Sequence, residues 1–200
     1  MNYAISFESK YYPFLLCTPR KKTIKHQLIR VTDGLVLIRL GKIEYAVEPG
    51  QEFWLPFDTL TSLTFTPQSE CERVEISSRV VKNFPRQAGY LKSDELIIRL
   101  LDRLKTIMST DIANDYLKLI MHELTLQKPQ LKENQTTKDI KDWREVSSQL
   151  SQELRYMLMI KEAQKQIQSG KSRSDVILHF FQNDEELVDN LENAILGTKL

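Results

Sequence analysis

The chain has 200 residues, 41% of them apolar, and a formal net charge of +1. That length suits one generous domain or two small ones, and the charge offers no global field for nucleic acid, so DNA contact would need a local basic face. No run approaches the ~20 consecutive apolar residues of a membrane helix, the start MNYAISFESKYYPF lacks signal-peptide regions, and Cys17 and Cys71 fall outside any metal spacing, so a cytoplasmic protein with two reduced thiols is expected.

Residues 1–90 are written as short apolar runs separated by turn residues. T23-I-K-H-Q-L-I-R-V-T32 ends at Asp33-Gly34, the strongest hairpin signal in the chain. L35-V-L-I-R-L40 leads to Gly41-Lys42. I43-E-Y-A-V47 alternates, with Ile43, Tyr45 and Val47 on one face and Glu44 and Ala46 on the other. A turn at Glu48-Pro49-Gly50-Gln51 precedes Phe53-Trp54-Leu55, and Pro56 ends that strand. Leu63-Thr64-Phe65 and R73-V-E-I-S-S-R-V80 complete the set, and Y11-Y-P-F14 is either an arm or a first strand. Many short, evenly spaced strands predict a sandwich or barrel.

From residue 91 the period becomes helical. Ser93 is suited to cap D94-E-L-I-I-R-L-L-D-R-L-K-T-I-M108, whose stripe is Ile97, Leu100, Leu101, Leu104 and Met108. Thr110 or Asp111 can cap a second helix to about Leu126, with Ala113, Leu117, Ile120 and Leu124 on one face and Pro129 beyond it. A short loop makes residues 91–130 an antiparallel helix pair. L131-K-E-N-Q-T-T-K138 reads as a polar linker. In the helical segment 131–200, Trp143, Val146, Leu150, Leu154 and Met157 step by three and four, and Gly170 interrupts. A short helix near S174-D-V-I-L-H-F-F181 is followed by D184-E-E-L-V-D-N-L-E-N-A-I-L196, capped by Asn183 with Glu186 completing a capping box and Gly197 ending it. Two short helices across a tight turn have a helix-turn-helix outline.

H26-Q-L-I-R-V-T-D-G34, Y45-A-V-E-P-G-Q-E-F-W-L-P56 and the helix pair together resemble the AraC/XylS family of bacterial transcription regulators. The resemblance covers roughly the first two thirds of the chain. It implies an α+β protein with an N-terminal cupin-like β-barrel, a dimerisation helix pair and a C-terminal DNA-binding region. Ala163, Ile167, Ser174, Val176, Phe181, Leu187, Leu191 and Gly197 fall near the apolar and glycine positions of the family's second helix-turn-helix. That region is truncated and degenerate relative to the family: one motif has room after Leu131, and the chain reads G197-T-K-L200 where a Gly-x-Ser/Thr-Pro and a Tyr-Arg signature are expected. The recognition position carries Asp184, Glu185, Glu186, Asp189 and Glu192, and Lys132 to Leu200 hold 10 Lys and Arg against 12 Asp and Glu. Phosphate contact requires Lys and Arg. The acids therefore form either a solvated helix face or a surface for a basic or apolar protein, and specific DNA reading is not expected.

Catalysis is not expected. His26 is the sole histidine of the first ninety residues, without a His-x-His pair, so three metal ligands are lacking; no metal or other cofactor is expected, and His26 is read as a core or rim histidine. No nucleophile or phosphate-loop motif is present. Candidate ligand-binding residues are His26, Arg30, Arg39, Tyr45 and Trp54: the aromatics form either a wall for a small effector or ordinary core, and the arginines either hold an anionic group or lie on solvated strand faces. As the family resemblance implies, Ala113, Leu117, Ile120, Met121 and Leu124 are the candidate dimer interface, giving a homodimer or a heterodimer with a related regulator. The alternative function is a stand-alone cupin-like ligand-binding module, and no membrane association is expected.

Overall fold

The structure, a computed structural model, describes residues 4–92, 95–143 and 149–200; Ser93, Asp94 and Val146, named above, lie outside these. The described strands are β1 Ile5–Tyr12, β2 Leu16–Cys17, β3 Lys21–Lys22, β4 Lys25–Asp33, β5 Val36–Leu40, β6 Ile43–Val47, β7 Glu52–Leu55, β8 Leu60–Phe65, β9 Ser69–Ser77 and β10 Gly89–Tyr90. They form two antiparallel sheets. The first has the order β1-β9-β4-β7-β10; the second has β2-β8-β5-β6, with β3 also on β8. The class is α+β as expected, but the barrel is not closed. The sheets face one another as an antiparallel sandwich, with β6 to β9 alternating between them.

The expected hairpin at Asp33-Gly34 does not form. β4 pairs with β7 and β9, whereas β5 pairs with β6 and β8. The turn carries the chain from one sheet to the other. A bulge between Val31 and Asp33 bends β4 there, and Gly34 has φ +71°, where a Cβ would meet the Ser69 backbone at 2.7 Å. The same turn chemistry therefore serves a corner. The tight hairpin lies at Gly41-Lys42, where Leu40 faces Ile43.

Side-chain alternation sorts the apolar residues into three layers. Ile29, Val31, Val36, Ile38, Tyr45, Phe53, Leu55 and Phe65 fill the space between the sheets. The outer face of the first sheet, with Leu28, Trp54, Val74 and Ile76, is covered by α1 (Glu95–Leu104) and α2 (Thr110–Leu126). Ile97, Leu100, Leu101 and Leu104 are buried as the periodicity requires, whereas Met108 lies past the end of α1 and is fully exposed. Ser109, rather than Thr110 or Asp111, occupies the cap position of α2.

Leu37 and Ala46 on the outer face of the second sheet lie under α3 (Gln135–Lys141), α4 (Gln152–Gln168), α5 (Arg173–Phe181), α6 (Glu185–Leu191) and a π-helical turn, Glu192–Leu196. The second half of the segment expected as a linker therefore belongs to a docked helix. Asn134 caps it by accepting from the Thr137 N–H at 2.9 Å, and Thr137 and Ile140 are buried. The Ala46 N–H donates to Thr137 Oγ1 at 2.9 Å, and the Ala46 carbonyl accepts from the Tyr90 hydroxyl at 2.7 Å and Asn134 Nδ2 at 2.9 Å. Burial pushes the Tyr90 hydroxyl up to about 12, which keeps it a donor. The free edge of β6 is thus satisfied by side chains. A segment built for that task is polar, so it looks like a linker.

Candidate functional site

The candidate ligand residues are dispersed over three layers. Only His26 and Trp54 come together: both project from the outer face of the first sheet and their rings stack at 5.5 Å. Phe84 lies 4.9 Å from His26 and 5.8 Å from Trp54, so the three rings cluster. Trp54 is fully buried and donates from Nε1 to the Pro85 carbonyl at 2.9 Å. His26 Nδ1 accepts from the Phe57 N–H at 3.0 Å, and burial lowers its pKa. These contacts make both residues parts of the core packing.

Arg30, four positions beyond His26 on β4, forms a 3.1 Å ion pair with buried Glu72 and a 2.8 Å pair with Asp102 of α1. Lys105 also reaches Glu72, at 2.6 Å. This network ties α1 to the sheet, so the Arg30 guanidinium is engaged internally. Tyr45 points between the sheets and is only 7% exposed, against Phe53 and Tyr90. Arg39 projects from the outer face of the second sheet and lines two clefts beside α4. His26, Arg30, Arg39, Tyr45 and Trp54 thus do not converge on one spot, because strand alternation points them to different faces.

The candidate dimer residues lie on the side of α2 that faces α1. Leu117, Ile120 and Leu124 are buried against α1 and the first sheet, and Ala113 and Met121 pack half-buried on the same cluster. Their apolar stripe is used within the chain. The exposed apolar residues of α2 are Ile112, Leu119 and Leu126.

At the C-terminal end, α5 and α6 meet across Gln182 and Asn183, both in the left-handed region at φ 53° and 66°. Asp184, not Asn183, caps α6, accepting from the Leu187 N–H at 2.9 Å. Arg173 bridges to Glu185 at 3.0 Å and to buried Glu192 at 2.9 Å. Lys199 holds Asp189 at 2.6 Å, and that hydrogen bond lowers the Asp189 pKa. Glu185, Asp189 and Glu192 are thus paired within the C-terminal region, and Arg173 and Lys199 are engaged by them. Next to this cluster Met159, Phe180, Phe181 and Leu187 line a hollow of about 380 Å³, with Asp184 on its rim.

Among the described residues, no cluster of three or more His, Cys, Asp or Glu side chains is placed to hold a metal ion. Nor is any described helix long and apolar enough to cross a membrane.

No family model and no curated protein matches the chain. Among solved structures, it is similar to apo ToxT K231A from Vibrio cholerae strain SCE256, with 12% identity and a TM-score of 0.47 over 100% of this chain and 78% of that one. A second ToxT structure from Vibrio cholerae gives 7% identity and 0.42 over 98% and 96%. A cupin superfamily protein from Desulfitobacterium hafniense gives 6% and 0.36 over 39% and 72%. These are distant likenesses of fold.

Proposed function

We propose that this protein is a non-catalytic, AraC-like transcription regulator that acts by protein contact rather than by reading DNA sequence. The observation that carries this is the engagement of Arg173 and Lys199 by Glu185, Asp189 and Glu192. A helix entering the major groove needs bases free for phosphates. Here α6 is capped by Asp184 and opens with Glu185 and Glu186, and the bases beside it, Arg173 and Lys199, are paired with acids. Asp184 beside the apolar Met159–Leu187 hollow suits a partner that presents a basic group next to an apolar side chain.

Fluorescence anisotropy at physiological salt, with duplexes from the promoter of its own gene, tests the DNA half. The expected result is weak, sequence-blind attraction. Specific binding near ~10⁻⁸ M, where sequence-reading regulators sit, would falsify the proposal. Co-precipitation from native cells tests the protein half: Glu185→Lys with Glu186→Lys should abolish recovery of a regulatory partner, and recovery unaffected by that change counts against it.

A further inference from the structure

We propose that the cleft between the second sheet and α4 binds a small polyanion, a compact molecule with the charge density of a diphosphate or a tricarboxylate. This goes beyond the regulatory assignment and is independent of how the protein meets DNA.

The cleft has a volume of about 460 Å³, within the range of small-molecule sites. One wall is a stripe of α4, Lys161, Gln164, Lys165 and Gln168, whose spacing of three and four puts them on one helical face. Facing it are Arg39 of β5, and Ser62 and Thr64 of β8, with Arg20 at the mouth. The lining is rich in donors. Its carboxylate, Glu44, is already clasped by Lys161 at 2.7 Å to both oxygens, which leaves Arg20, Arg39 and Lys165. Arg39 is half-buried, yet its hydrogen bond is a long one, 3.5 Å to the Gly41 carbonyl. Lys165 holds Glu162 at 3.5 Å with its side chain 65% exposed. Arg20 has no ion pair among the described residues.

Three cations converge from a loop, a strand and a helix, and the acid paired among them is Glu162, on the exposed Lys165. Their mutual repulsion is relieved by an anion, and arginine's fork suits planar carboxylate and tetrahedral phosphate groups. Concavity argues for a compact ligand. Beyond the Glu44–Lys161 pair a second cleft, about 250 Å³, holds Lys42 and Lys141, so a continuous phosphodiester strand would have to cross a carboxylate.

The test is isothermal titration of the full chain with pyrophosphate and with citrate, at constant ionic strength in a phosphate-free buffer. Saturable binding of either anion is expected. Arg39→Gln and Lys165→Gln should each weaken it about tenfold, roughly the loss of one charge-assisted contact, whereas Lys118→Gln on α2 should leave it unchanged. Thermal melts of each variant verify folding. Three results overturn the proposal: no saturable binding of either anion, equal affinity in the folded Arg39→Gln, Lys165→Gln double variant, or displacement of the anion by a random-sequence DNA duplex.

Discussion

Lys161 of α4 grips Glu44 of β6 across the junction between the sandwich and the C-terminal helices, with Nζ 2.7 Å from each carboxylate oxygen. Both side chains are mostly shielded, at 18% and 24% exposure. Removing one member strands the other in a partly desolvated site. Glu44→Gln should therefore lower stability by about 1–2 kcal/mol, between the values for exposed and fully buried pairs. Urea denaturation measures this, and an unchanged midpoint would show that the junction does not depend on the pair.

Charge at Leu117 or Leu124 should unfold the protein rather than split an oligomer. Both side chains are buried under α1, and truncation alone at such sites costs ~2–5 kcal/mol. Leu119→Asp, at a residue 40% exposed, should change stability by less than about 0.5 kcal/mol. Circular dichroism melts with sedimentation velocity separate the two behaviours. A folded monomer from Leu117→Glu would contradict the packing described.

Thr137→Val should loosen the edge of β6. The substitution keeps the shape but removes the acceptor for the Ala46 N–H, and an unsatisfied buried donor costs about 1–3 kcal/mol. Faster hydrogen exchange at the Ala46 amide is the specific signature; exchange as slow as in the wild type would mean that another acceptor takes over.

Stability should fall as acid is added below about pH 6.5, the ordinary histidine value, in part through His26. Burial lowers its folded pKa, so the unfolded chain binds the proton more readily. Its contribution is full above the unfolded pKa and is lost as pH drops toward the folded one. His26→Phe keeps a ring against Trp54 and Phe84 and should flatten the stability profile between about pH 7 and 5. A profile of identical slope would remove His26 from the account.

The linear pattern of residues determined the strands from Lys25 to Phe65, the stripes of α1 and α2, and Gly197 as the end of the last helix, because periods of two and 3.6 and glycine's left-handed freedom are local properties. The acidic character of α6 was legible in the same way. Tertiary structure alone decided that Asp33-Gly34 turns a corner, since a tight turn does not specify which sheet receives the next strand. It alone decided that residues 135–141 dock, because Thr137 satisfies the backbone of Ala46 in β6, 91 residues earlier. It also separated Arg30 from Arg39. The two look alike in sequence, but Glu72 and Asp102 capture one guanidinium, while the other faces a cleft whose carboxylate Lys161 already holds. Charge is written in the sequence; which charges neutralise one another is set by distances between segments that only the folded chain brings together.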